Sequence, residues 1–205
     1  MGSITVIPKD GTYQRNSPKK IRKGTLVWQS APLHNIRLDA EESFWDDWMK
    51  HHFDLSLIRI FYNHAPNLTC HEEIKIYDGK SVIIGKRISQ DQAVLLKGYK
   101  LKYVYSQKWV EKRGDMYTPQ YEVYISIDHK SHFIKRYQQR GFDLGLVAQF
   151  IGKVAQAQLG QKVKMIGDED IIIGTRTTAH AAMLISGMVR GEMDWDEYVD
   201  KKMVV

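Results

Sequence analysis

Between Ser131 and Gly141 the chain reads Ser-His-Phe-Ile-Lys-Arg-Tyr-Gln-Gln-Arg-Gly, and this stretch limits the fold more than any other. His132, Arg136 and Arg140 recur every four residues, so at roughly 100° per residue they fan over about 80° of one helix face. Phe133 and Tyr137 make a neighbouring apolar stripe, and Gly141 sits where a helix C′ glycine is expected. The run before it, from 121 to 127, alternates as a strand does. After it, Asp143 is placed to cap a second helix in which Leu144, Val147, Ile151 and Val154 keep helical spacing. Residues 163 to 166 and 171 to 173 read as two strands about a turn at 167 to 170. Thr178 then caps a third helix holding Ala179, Ala182, Met183, Ile185, Met188 and Val189, closed by Gly191.

Upstream, residues 3 to 7 read as a short strand and 24 to 28 as another, ended by Pro32. Asp39, with Glu42 at the capping-box position, starts an amphipathic helix over about 40 to 52, and Phe44, Trp45, Trp48, Met49 and His52 fall on one stripe. Residues 55 to 62 read as a strand. A hairpin joins 74–77 to 82–84, and Ser89 with Gln92 caps a short helix ending near Gly98. From 99 to 110 the sequence alternates again, turns at 113 to 115 and returns to 127, with Pro119 marking a bulge or an edge. These elements predict an α+β fold of antiparallel sheet with packed helices. It is either one compact domain or an N-terminal region, 1–118, packed on a C-terminal region, 119–205.

The 205 residues are 43% hydrophobic, enough for a core without covalent staples. Thirty Lys and Arg against 24 Asp and Glu leave a formal charge of +6, which favours anionic partners. The single cysteine, Cys70, excludes an intrachain disulfide and suits a reducing compartment, so the expected location is cytoplasmic. No run approaches the length of a membrane-spanning helix, and no membrane association is expected. His64, Cys70 and His71 share a loop, but their spacing is poor for zinc, and no metal site is expected. Neither a P-loop nor a dinucleotide-binding fingerprint is present, and no cofactor is expected.

The basic residues are distributed as a nucleic-acid binder would need them. Lys19, Lys20, Arg22 and Lys23 form a basic N-terminal arm. Lys102, Lys108, Trp109 and Arg113 interleave cations with an aromatic on the 99–127 hairpin, a pattern that serves both phosphate contact and base stacking. Lys130 and Lys135 flank His132, and Arg176 lies at the end of the last predicted strand. RNA is the expected partner and DNA the alternative. The acidic segment 192–200 offers a second docking element, for protein.

The line from Ser126 to Asp143, with His132, Arg136, Arg140 and Gly141 in register, resembles the S-x-H-A-x-x-R-x-x-x-R-G segment of small RelE-like and BrnT-like toxin ribonucleases. Phe133 stands at the position that pattern gives to alanine. The resemblance covers about residues 121 to 178 and implies a RelE-like C-terminal half with metal-independent endoribonuclease activity. Chemistry assigns the same residues roles. RNA cleavage needs a base for the 2′-hydroxyl, an acid for the leaving oxygen and cations for the phosphorane. His132 fits the first or second role, because imidazole titrates near neutrality. Arg136 and Arg140 fit the third, because guanidinium forks onto phosphate oxygens. His129, Tyr137 and His180 are the candidates for the second proton-transfer group. The structural alternatives are an Arg136 pair with Glu122 or Asp143, and a satisfied His180 inside an apolar helix. The functional alternative is a non-catalytic regulator that binds nucleic acid or protein.

Overall fold

The computed structural model describes residues 26–29, 35–101, 116–117, 124–127 and 132–189. Two segments within them are built alike. The first runs β1 (Leu26–Gln29), β2 (Arg37–Ala40), α1 (Glu42–His51), α2 (Leu57–His64), a 3-10 turn (Ala65–Asn67), β3 (Glu73–Tyr77), β4 (Ser81–Arg87) and β5 (Gln92–Lys100). The second runs β6 (Met116–Tyr117), β7 (Tyr124–Ile127), α3 (His132–Arg140), α4 (Gly145–Lys153), a 3-10 turn (Val154–Gln156), β8 (Lys162–Ile166), β9 (Asp170–Arg176) and β10 (Ala181–Val189). The order of elements is the same. So is the sequence register: Phe53 and Phe142 lie 89 positions apart, as do Asp54 and Asp143, Gly85 and Gly174, Arg87 and Arg176, and Gly98 and Gly187. The chain is an internal duplication with an α+β fold, and its helices pack on two mixed sheets.

The repeats exchange their first strands. One sheet has the order β1-β8-β9-β10-β7 and the other β2-β5-β4-β3-β6. Within each, three consecutive strands of one repeat form an antiparallel meander, and a second-strand partner lies parallel on one edge, β2 on β5 and β7 on β10. The opposite edge is filled from the other repeat. β1 lies parallel to β8, Leu26 opposite Val163, and β6 lies parallel to β3, Met116 opposite Lys75. Each sheet is therefore completed by the other repeat, and α2 packs directly on α4 between them.

The core follows the same symmetry. Phe53 lies over Gly98 of β5 and Phe142 over Gly187 of β10, so close that a Cβ on either glycine would overlap the ring. Phe61 over Gly85 and Phe150 over Gly174 repeat the device one strand inward. Phe53, Phe61, Phe142 and Phe150 are all fully buried. The glycines are needed for this close approach of helix and sheet, since anything larger overpacks the contact.

A pair of buried carboxylates joins the repeats. Asp54 Oδ1 accepts from the Ser56 N–H at 2.8 Å and from the Ile125 N–H, across the repeat boundary, at 3.3 Å. Asp143 Oδ1 accepts from the Gly145 N–H at 2.7 Å and, across the boundary in the other direction, from the Leu38 N–H at 2.9 Å. The N–H of Asp54 itself donates to Ser81 Oγ and that of Asp143 to Asp170 Oδ2. Each aspartate thus holds a helix start, its own sheet and the other repeat's edge strand.

Several sequence expectations change here. The helix expected over about 40 to 52 forms as Glu42–His51, but Asp39 lies in β2 and hydrogen-bonds Arg37 instead of capping. Residues 55 to 62 are not a strand: Leu57–His64 is helical, because burying Leu57, Ile58, Phe61 and Tyr62 on one face outweighs the β preference of Ile, Phe and Tyr. The short helix expected from Ser89 and the long one expected from Thr178 are strands β5 and β10. Alanine and glycine there suit a strand covered by aromatic rings, and burial alternates along both. The helices at 132 and 145 and the strands at 162 and 170 form as expected. The expected strand at 3–7 lies outside the described residues.

Burial pushes the Asp54 carboxyl up to about 6, from an ordinary 3.8. The native state then keeps a proton that the unfolded chain releases over roughly pH 4 to 6, so this group favours folding below that window and its contribution falls as pH rises through it. A shift of about two units corresponds to roughly 3 kcal/mol. Asp54→Asn keeps an oxygen acceptor and removes the charge. Its urea midpoint should therefore vary less between pH 4 and 7 than that of the wild type, and an unchanged slope would contradict the burial argument. Gly98→Ala and Gly187→Ala should each cost about 1 to 3 kcal/mol in the same assay, by forcing Phe53 or Phe142 off its strand.

Candidate functional site on helix α3

Helix α3 presents what the sequence singles out. Phe133, Ile134 and Tyr137 are buried, while His132, Lys135, Gln138 and Gln139 are exposed and Arg136 and Arg140 partly so. Arg136 Nε donates to His132 Nε2 at 3.4 Å, and Arg136 Nη1 donates to Gln139 Oε1 at 3.3 Å. Of the two acids expected to pair with Arg136, Asp143 is taken up by backbone N–H groups, and Glu122 lies outside the described residues. Arg140 Nη1 donates to the Gly187 carbonyl of β10 at 3.1 Å. His132 and Arg136 are thus brought together at the helix surface, and Arg140 is tied to the sheet beside them.

The other sequence candidates fall elsewhere. Tyr137 accepts a hydrogen bond from the Ala40 N–H at 2.6 Å and its hydroxyl donates to the Ala40 carbonyl, so it fastens α3 to β2. Burial, the largest influence, raises its pKa, and a phenol so placed is poorly suited to proton transfer. His180 is exposed in the β9–β10 turn, not in an apolar helix, and its N–H donates to Thr178 Oγ1. Arg176 is not presented to a ligand. Its guanidinium donates to the carbonyls of Ala155, Ala157, Thr178 and Ala179, clamping the 3-10 turn to the β9–β10 turn. Arg87, its counterpart, does the same to Pro66, Leu68, Ser89 and Gln90. Lys19, Lys20, Arg22, Lys23, Lys102, Lys108, Trp109, Arg113, His129, Lys130 and the acidic segment 192–200 lie outside the described residues.

The duplication supplies an internal comparison for α3. Ser43, Asp46, Asp47 and His51 of α1 stand where α3 has His132, Lys135, Arg136 and Arg140. The buried positions stay apolar, Phe44 matching Phe133, Trp45 matching Ile134 and Trp48 matching Tyr137. The solvent face changes sign.

A second concavity lies where the repeats meet, a cleft of about 340 Å³ lined by Asn35, Arg37 and Tyr62 from the first repeat and by Asp143, Gln149 and Asp170 from the second. Arg37 Nε is 3.2 Å from Asp39 Oδ1, and Arg37 Nη2 donates to the Gly141 carbonyl. Burial disfavours its charge, but Asp39, Asp170 and Asp143 outweigh this and raise its pKa. Burial likewise raises the pKa of Asp143 and Asp170 and pushes the Tyr62 phenol up to about 12. With Asp168 and Glu169 also on its wall, the cleft is acidic and ill matched to phosphate. Sequence reading missed it, because Arg37 and Asp170 are 133 positions apart and only the packing of one repeat on the other brings them together.

Compared with known proteins, the chain matches no family model, no curated protein and no solved structure. Among the described residues no helix is long and apolar enough to cross a membrane, and no group of three or more His, Cys, Asp or Glu side chains is placed to hold a metal ion.

If Arg87 and Arg176 are counterpart clamps, Arg87→Met and Arg176→Met should lower stability by similar amounts. About 1 to 3 kcal/mol is expected for losing a charged donor shared by several part-buried carbonyls. Denaturant titration of both variants checks the equivalence, and a loss confined to one of them would break it.

Proposed function

We propose that this protein acts on nucleic acid through the solvent face of α3, with RNA as the expected partner. One observation carries the reading. In a duplicated scaffold whose buried helix positions stay apolar in both copies, the second copy alone bears Lys135, Arg136 and Arg140 beside His132, with no acidic residue in the helix. Packing does not require this, since α1 packs in the same way with Asp46 and Asp47 at the corresponding positions. Guanidinium and ammonium groups spaced along one helix face match successive phosphates, and the overall charge of +6 acts in the same direction at longer range. The proposal places the protein in the cytoplasm, where the exposed thiol of Cys70 stays reduced.

The His132–Arg136 contact favours a second reading, metal-independent RNA cleavage. A bound phosphodiester would draw the Arg136 donors onto its non-bridging oxygens. That releases the Nε2 lone pair of His132 to accept the 2′-hydroxyl proton as the 2′-oxygen attacks phosphorus and the 5′-oxygen departs, taking its proton from water. The resemblance to RelE-like and BrnT-like ribonucleases supports the same assignment, since a helix and strands follow α3 in the implied order. Neither Tyr137 nor Arg176 has a part in it.

The two readings separate in one experiment. Wild type, His132→Ala and Lys135→Glu/Arg136→Glu are incubated with labelled single-stranded and structured RNA in EDTA, with DNA as control. Under the binding reading, retention falls steeply with salt. The charge-reversed variant loses at least tenfold in affinity at about 50 mM salt, since each lost phosphate contact removes about one released counterion. Under the cleavage reading, His132→Ala keeps affinity and loses cleavage. Retention unaffected by charge reversal would refute both.

A further inference from the structure

We infer that α1 and α3 together form a self-complementary surface through which two copies of this chain associate about a twofold axis. Trp45 of α1 lies against Phe133 and Tyr137 of α3, with ring centroids 6.3 and 5.3 Å apart, so the two helices are neighbours along a buried seam. Their far sides rest on the sheets: Ser43 Oγ donates to the Leu96 carbonyl and Asp47 accepts from the Gly98 N–H, while Arg140 reaches the Gly187 carbonyl. The solvent faces of the two helices therefore lie side by side.

Their charges are opposite and equal. With Asp47 and Arg140 turned to the sheets, Glu41, Glu42 and Asp46 against Lys50 leave −2 on the solvent face of α1, and Lys135 and Arg136 put +2 on that of α3, counting histidines neutral. Glu42, Asp46 and Met49 hold the quadrant of α1 next to Trp45. Lys135 and Gln138 are the counterparts of Asp46 and Met49 on α3. An acidic stripe beside a basic one is complementary to itself under a twofold axis lying along the seam, because that rotation lays each acidic stripe over the other copy's basic stripe. Met49, an exposed hydrophobic at 48% accessibility, sits near the middle, where an interface places its apolar contact. The partner fitted by this surface is a second copy, because only a second copy carries both stripes at the same spacing. The inference does not depend on nucleic acid, although such a dimer would cover His132 and Lys135, so that RNA and self-association would compete.

The test uses the full chain in sedimentation equilibrium. Wild type should reach twice the chain mass at low salt, and its association should weaken at least tenfold between about 50 and 500 mM NaCl, as screened surface charges require. Glu42→Lys/Asp46→Lys makes both stripes basic and Lys135→Glu/Arg136→Glu makes both acidic. Each variant alone should be monomeric, and an equimolar mixture of the two should regain the dimer mass. A wild type that stays monomeric, a dimer indifferent to either reversal, a mixture that fails to pair, or open-ended oligomers would overturn the proposal. Circular dichroism of each variant confirms folding, and the salt dependence of the wild type remains decisive if a variant does not fold. RNA binding without dimerisation would remove this proposal and leave the nucleic-acid reading standing; dimerisation without RNA binding would do the reverse.

Discussion

The structure depends on two buried aspartates that each hold the other repeat's strand. Asp54 and Asp143 begin α2 and α4, and each reaches over to a backbone N–H of the strand, β7 or β2, that precedes the opposite helix pair. A backbone N–H at such a position needs an acceptor, because leaving it unpaired away from water costs about as much as a lost hydrogen bond. The carboxylates supply that acceptor, and burial raises their pKa in return. With β1 seated beside β8 and β6 beside β3, neither repeat closes its sheet or satisfies its edge by itself. The described chain is therefore better regarded as one cooperative unit with internal twofold pseudosymmetry than as two independent domains.

The same device appears with two chemistries. In the first repeat a hydroxyl, Ser81 Oγ, accepts from the Asp54 N–H; in the second a carboxylate, Asp170 Oδ2, accepts from the Asp143 N–H. A neutral acceptor is sufficient for the structural task, as Ser81 demonstrates. The carboxylate at 170 adds a second negative charge beside Asp143, and Arg37, held by Asp39 and the Gly141 carbonyl, stands opposite and offsets it. The acidic cleft is thus a local departure from symmetry with its own compensation.

Much of this was legible in the sequence, though not all by the same signal. The apolar spacing of Phe133 and Tyr137, and of Leu144, Val147 and Ile151, located α3 and α4, because those helices bury a continuous stripe. The same reasoning failed on α2, where Ile58, Ile60, Phe61 and Tyr62 carry strong β preference, and on β5 and β10, where Ala93, Gly98, Ala182 and Gly187 look helical or neutral. The missing signal was the repeat. Aligning Phe53-Asp54-Leu55 with Phe142-Asp143-Leu144 would have transferred the helix from the second copy to the first. It was obscured because the matched residues are scattered at turns and ring contacts and the intervening positions differ. The face of α3 was legible, since a four-residue interval of His and Arg is a property of the helix alone. The Arg176 clamp and the acidic cleft were not, because both consist of contacts between distant segments.

Duplication within one chain also explains how a cationic helix can lie beside its own counterpart. In a dimer of identical single repeats, any charge placed on this helix would appear twice, on two helices that meet along one seam. Two neighbouring basic faces would repel and oppose the packing of Trp45 on Phe133 and Tyr137. Joining the copies releases that constraint, because the two solvent faces then vary separately while the buried residues remain under the same packing demands. The observed outcome is a basic face on one copy and an acidic face on the other. The basic face of α3 is in this sense a product of the broken symmetry.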